Sequence, residues 1–255
     1  MPKNLQYLNI MWQNLSKLGV TLNFKIKMFA DGADIEEIRK LRQNPKVSGF
    51  TTNPTLLAKS GVSDYPTFAK EAAKIAHPHP ISFEVFSDDL DEMYEQAKKI
   101  NTWGENIYVK IPVTNTKGAS TGDLISTLAK EGVALNVTAI MTIKQVNEVC
   151  LNLKSDVPSL VSVFAGRIAD AGIDPIPVMK ESLVITSKLE KCELLWASPR
   201  EILNLIQAEK VGCQIITMTS DLWKKMSNLG VKLEEISLAT VKMFYDDAIK
   251  SNLKI

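Results

Sequence analysis

The 255-residue chain carries 30 Lys and Arg against 29 Asp and Glu, a net charge of +1, so it has neither the basic footprint of a nucleic-acid binder nor an acidic tail. With 45% hydrophobic and 23% charged residues its composition is that of an ordinary globular protein. No apolar run approaches the roughly 18 residues that would span a bilayer, and the N-terminal stretch mixes Leu, Ile and Trp with Asn, Gln and Lys, unlike a signal peptide. A cytoplasmic protein, in contact with neither membrane nor nucleic acid, is therefore expected.

Residues 1–24 read as an N-terminal extension whose structure the pattern leaves open. Leu5, Leu8, Ile10, Trp12, Leu15 and Leu18 could form an irregular amphipathic helix ending at Gly19. From residue 25 to 255 a strand–helix rhythm predicts one catalytic domain with a C-terminal helix. Lys25 to Ala30 alternates as a strand, and Asp34 opens a helix. Val47 to Asn53 is a second strand, with Pro54 starting the next turn and helix. Pro80 to Phe86 is a third strand, followed by a helix from Asp88 to about Gly104. The fourth strand lies within Asn106 to Thr114, and Ser120-Thr-Gly-Asp123 reads as a capping box for a helix that stops at Gly132.

Val133 to Ile140 is the fifth strand, and Thr142-x-x-Gln145 caps its helix. Ser159 to Phe164 is the sixth, with a helix from about Pro177 to Lys191. Cys192 to Ala197 is the seventh. Ser198-Pro199-Arg200-Glu201 then supplies an N-cap, a Pro at the first helical position and a Glu two further on. Cys213 to Met218 is the eighth, and two helical segments close the chain. Eight strands alternating with helices at this length point to a single-domain (β/α)8 TIM barrel, an α/β fold. No GxGxxG follows the first strand, which weakens the alternative of an open doubly wound sheet.

The fourth strand holds a lysine where an aliphatic residue would be expected. Alternation places Ile107, Val109 and Ile111 on one face and Tyr108, Lys110 and Pro112 on the other. A buried ammonium is costly unless paired or neutralised, and a neutral amine there is a nucleophile towards carbonyl compounds. A lysine snorkelling to solvent at a strand end is the plain alternative.

The same parity carries polar residues at nearly every strand end. These are Asp31, Asn53 after Thr51, Glu84 after Ser82, Lys110, Thr138 after Asn136, Ser162, Ser198 after Trp196, and Thr217 with Thr219. A barrel gathers strand C-termini onto one mouth, where barrel enzymes place their chemistry. The only histidines, His77 and His79, sit in a stiff His-Pro-His-Pro loop that matches no zinc motif. No metal site and no cofactor are expected. A lysine amine can instead form an iminium that acts as an electron sink for carbon–carbon cleavage, with Glu84 and Asp31 available for proton transfer. An ordinary salt bridge to Lys110 is the competing reading of those carboxylates. Arg167 just past the sixth strand suits a phosphate, or a surface ion pair. Ser198 suits an anion at a helix N-terminus, or merely caps that helix.

These motifs, over roughly residues 26–225, resemble the transaldolase family, including its small members and the related fructose-6-phosphate aldolases. The carriers are Phe29-Ala-Asp31, Gly49-Phe-Thr-Thr-Asn53-Pro54, Phe83-Glu84-Val85, Val109-Lys110-Ile-Pro-Val-Thr114, Asn136-Val-Thr138, Ser162-Val-Phe164-Ala-Gly-Arg167-Ile and Trp196-Ala-Ser198. The resemblance implies a Schiff-base lysine at Lys110, a catalytic water held by Glu84 and Thr138, and Asp31 as acid/base of the aldol step. Asn53 and Ser162 would bind the dihydroxyacetone unit beside Thr51, and Arg167 with Ser198 the sugar phosphate. Glu84 and Phe164 look like the transferase type, where the aldolase type tends to carry Gln and Tyr. The chain departs from the pattern after Ser198, where Pro199-Arg200 follows directly. Sugar-phosphate substrates are thus expected, with transfer of a dihydroxyacetone unit as the activity. Aldolase cleavage, or a silent sugar-phosphate-binding barrel, are the alternatives. The apolar C-terminal helix leaves open a homo-oligomer.

Overall fold

The structure, a computed structural model, describes residues 24–252, so the anticipated N-terminal helix lies outside the described residues. Residues 24–223 form one compact unit, and residues from 224 onward belong to a second. The first is a closed barrel of eight strands in sequence order: β1 (Lys27–Asp31), β2 (Val47–Thr51), β3 (Ile81–Glu84), β4 (Ile107–Pro112), β5 (Leu135–Ile140), β6 (Ser159–Val163), β7 (Cys192–Trp196) and β8 (Ile215–Thr219). Every pairing is parallel, and β1 closes the ring against β8. This is the (β/α)8 barrel.

Helices follow every strand. They are α1 (Ile35–Arg42), α2 (Pro54–Lys59), α3 (Tyr65–Ala76), α4 (Leu90–Asn101), α5 (Gly122–Lys130), α6 (Ile143–Asn152), α7 (Ala165–Asp170), α8 (Pro175–Thr186), α9 (Leu203–Val211) and α10 (Ser220–Lys225). Local chemistry sets many of their starts. Asp34 accepts from the Glu37 N–H, and Thr142 with Gln145 forms the full capping box. Other starts differ from the sequence reading. Ser120 does not cap α5 from the expected position: its Oγ accepts from the Gly122 N–H, while Thr121 donates to the Pro112 carbonyl and ties the loop to β4. The segment after β6 is two helices, because α7 follows the strand at once and Asp174 then caps α8, which starts at Pro175, two residues ahead of Pro177.

The interior is filled as strand alternation dictates. Phe29, Leu160, Leu195, Ala197 and Ile215 cluster inside the ring, with Tyr108 and Phe164 packed against them. Gly49 makes room for this floor, since a Cβ there would come within 2.5 Å of the Phe29 ring. The opposite parity, including Val109, Ile111 and Trp196, is buried outside the ring. Cys150, Cys192 and Cys213 are free thiols. In the second unit, α11 (Leu233–Lys250) exposes Leu233, Ile236, Val241 and Phe244. Among the described residues no helix is long and apolar enough to cross a membrane.

Candidate active site

Above the packed floor, the strand C-termini enclose a cavity of about 380 Å³. Every strand or the loop directly after it contributes to its lining: Asp31, Thr51 with Asn53, Glu84, Lys110, Asn136 with Thr138, Ser162, Leu195 with Ser198, and Thr217 with Thr219. All ten residues singled out in the sequence for catalysis or binding line this one cavity, Phe164 and Arg167 included.

Lys110 points into the cavity and is 6% exposed. Its Nζ donates to the Thr52 carbonyl oxygen at 2.8 Å and stands 3.1 Å from Glu84 Oε2. The pairing follows from register, because Glu84 and Lys110 are partners across β3 and β4 and share the inward parity. Snorkelling is therefore not what this lysine does. Asp31, at the tip of β1, accepts from Thr51 Oγ1 at 2.7 Å and from Asn53 Nδ2 at 3.5 Å. Thr51 in turn lies 2.5 Å from the Thr217 hydroxyl. Burial pushes the Asp31 carboxyl above the usual carboxylate range. The positive charge of Lys110 and the Thr51 hydrogen bond pull it back, and the Glu84 charge adds to the rise.

Beside Lys110, its register partner across β4 and β5, Asn136 links two hydroxyls. Its amide donates to Ser82 Oγ at 3.0 Å, and Ser162 Oγ donates to its carbonyl at 2.6 Å. Asn136, Thr138 and Ser162 are buried, so their polar groups are held rigid by the sheet.

Ser198 is where the sequence reading fails. It caps no helix: α9 starts at Leu203 without a side-chain cap, and Asn204 Oδ1 takes the N–H groups of Arg200 and Glu201. Nor does Ser198 continue the alternation of β7, because Trp196 faces outward and Leu195 and Ala197 face in. It reaches the cavity through a left-handed backbone, φ +57°. The chain turns there against α7, so closely that a Cβ on Gly166 would sit 1.6 Å from the Ser198 carbonyl oxygen. Gly166→Ala is expected to cost about 3 kcal/mol or more through this backbone clash. Thermal unfolding should show a Tm roughly 6–12 °C lower.

The turn also brings in a residue that the sequence reading missed. Arg200 lines the cavity beside Arg167, its guanidinium oriented by both carboxylate oxygens of Asp170. Arg167 and Arg200 together make the β6–β7 side of the mouth its basic end. The only signal for Arg200 was its sequence distance from Ser198, and the helix-start reading hid it. His77 and His79 lie in the loop between α3 and β3, at the opposite end of the barrel from the mouth. Among the described residues no three His, Cys, Asp or Glu side chains stand together as a metal site.

The chain has relatives among known proteins. Residues 28–254 match the family described as transaldolase/fructose-6-phosphate aldolase. A "probable transaldolase" of Dehalococcoides mccartyi is 36% identical over 194 residues, 76% of this chain and 86% of the relative. Another, from Thermoanaerobacter sp. (strain X514), is 33% identical over 231 residues, 90% of this chain and all of the relative. A "probable transaldolase 2" of Listeria monocytogenes is 34% identical over 202 residues, 79% and 88% of the two chains. With a closed eight-stranded barrel, a buried lysine paired to a carboxylate in its mouth, and these relatives, the chain belongs to the transaldolase/fructose-6-phosphate aldolase family.

Proposed function

We propose that the protein is a Schiff-base transaldolase, moving a dihydroxyacetone unit from a ketose phosphate such as fructose 6-phosphate or sedoheptulose 7-phosphate to an aldose phosphate. The observation that carries this reading is the placement of Lys110 Nζ inside the cavity, 3.1 Å from Glu84, with Asp31 in the same cavity. The Lys110 amine attacks the keto carbon C2. Glu84 passes protons between nitrogen and the carbinolamine oxygen, which leaves as water and is held between Glu84 and Thr138. Asp31 takes the proton of the C4 hydroxyl. The C3–C4 bond breaks, its electron pair flows to the iminium, and the aldose departs, leaving an enamine on Lys110. An acceptor aldehyde then receives the enamine carbon, Asp31 returns its proton to the new hydroxyl, and water hydrolyses the imine. Asn53 and Ser162 suit the hydroxyls of the retained three-carbon unit. Arg167, with Ser198 and the newly recognised Arg200, suits the phosphate.

Transfer is favoured over cleavage because Phe164 carries no hydroxyl and so adds no proton donor beside the enamine. The assay that tests this supplies fructose 6-phosphate with and without an acceptor aldose phosphate. Product formation should need the acceptor, and steady release of free dihydroxyacetone without it would instead establish an aldolase. The phosphate end has its own expected result. Arg167→Ala should raise KM for phosphorylated donors roughly 10- to 100-fold, the worth of a charge-assisted hydrogen bond. It should barely change turnover of unphosphorylated ones.

A further inference from the structure

Glu84 stands at the last position of the four-residue strand β3, and its backbone N–H and C=O have no strand to pair with. In a parallel sheet one residue's N–H and C=O point to the same neighbour. Ser82, of the same parity, faces β2 and accepts from the Thr52 N–H at 3.2 Å, so Glu84 faces β2 as well. Yet β2 pairs with β3 only at Phe50↔Ile81 and Thr51↔Ser82. The chain then leaves through Asn53-Pro54 into α2, where Pro54 has no N–H to offer. On the other side Glu84 is set by its register with Lys110 and by the Val85 N–H donating to the Lys110 carbonyl at 3.1 Å.

The gap is filled by one side chain from α3. The Glu84 N–H donates to the Tyr65 hydroxyl oxygen at 2.9 Å, and the Tyr65 O–H donates to the Glu84 carbonyl at 3.0 Å. One hydroxyl thus replaces both ladder bonds. Its ring is fixed by Phe83 and Trp103, edge-on at centroid distances of 6.2 and 5.3 Å, and by Phe86 at 4.5 Å. Tyr65 is the first residue of α3, after an Asp64 N-cap and before Pro66, so the hydroxyl is aimed by a rigid helix start. Burial raises the hydroxyl's pKa and keeps it protonated, as donation to the carbonyl requires.

We propose that Tyr65 is a positioning residue for imine chemistry: its hydroxyl stands in for the missing strand neighbour and holds Glu84 at proton-transfer distance from Lys110. The proposal rests on the reading of Glu84 as the proton carrier for Lys110. A group displaced by an ångström can lose about 100-fold in rate.

The test uses the full chain with Tyr65→Phe, which keeps the ring and removes the hydroxyl. Rapid-quench borohydride trapping with fructose 6-phosphate should show imine formation slowed about 10- to 100-fold. KM should stay within about twofold, and the acid limb of the kcat pH profile should move. Trp103→Phe serves as the control, because it disturbs the same aromatic cluster and leaves the hydroxyl in place. It should lower Tm without slowing trapping. A Tyr65→Phe protein that loses only stability, with wild-type trapping rate and pH profile, overturns the proposal. Glu84→Gln distinguishes the two levels. If it slows trapping while Tyr65→Phe does not, the positioning role alone fails; if it leaves trapping unchanged, the proton-carrier reading fails and takes the proposal with it. Hydrogen exchange of the wild-type protein gives an independent check. The Glu84 amide should be as protected as that of Phe83, and exchange at the rate of exposed loop amides would show that no clamp exists.

Discussion

Lys110→Met is expected to abolish covalent trapping and lower kcat at least about 10⁴-fold, since no other group in the cavity can form an iminium. Lys110 is the one lysine among the residues lining that cavity. The substitution should also cost stability. Removing the ammonium leaves Glu84 without its partner at 3.1 Å and the Thr52 carbonyl without its donor. Breaking a fully buried pair costs about 3–5 kcal/mol, but the Glu84 side chain is 15% exposed and can relax towards water, so about 1–3 kcal/mol is expected. The double variant Lys110→Met, Glu84→Gln should recover most of this and none of the activity. Denaturant unfolding and steady-state kinetics on the three proteins separate the two effects. A merely structural ion pair would instead show the stability loss with activity preserved.

Asp31→Asn is expected to move activity and stability in opposite directions. As the base for the C4 hydroxyl, Asp31 should carry roughly 10²- to 10⁴-fold of the rate, with trapping of the initial imine spared. Its effect on stability follows from linkage. The folded-state pKa is raised, chiefly by burial, so the folded protein holds this proton more tightly than the unfolded chain. As pH rises from the ordinary carboxylate value through the folded pKa, stability is lost, and the penalty is complete above it. Asn avoids ionisation while keeping an oxygen for the Thr51 hydroxyl. The variant should therefore melt a few degrees higher than wild type at neutral pH. The gain should vanish in acid, where Asp31 is protonated in both states. Thermal melts of both proteins across pH 3 to 8 check this, and a neutral-pH Tm at or below wild type would contradict a carboxyl that holds its proton more tightly in the folded state.

Much of the fold could be read in the chain because strand alternation is a local signal. Phe29 before Asp31, Tyr108 before Lys110 and Asn136 before Thr138 each place an inward residue beneath an inward polar tip, and a barrel brings such tips together. Lys110 was legible because a charge amid Ile107, Val109 and Ile111 needs a reason. The misreadings have physical sources that local composition does not carry. Ser198-Pro199-Arg200-Glu201 has the composition of a helix start, but the backbone at Ser198 is left-handed, and composition carries no sign of φ. Arg200 was hidden by that same reading. The short helix α7 is six residues long, below the length at which periodicity speaks. The Tyr65–Glu84 clamp joins residues 19 apart, and no local pattern announces that β3 outlasts its neighbour on one side.

The most direct measurement of the central claim is borohydride reduction of the wild-type protein with fructose 6-phosphate, followed by peptide mapping by mass spectrometry. A single reduced sugar adduct on the peptide bearing Lys110 is predicted, with none in its absence. No adduct, or an adduct on any other lysine, would contradict a barrel that works through an imine at this position.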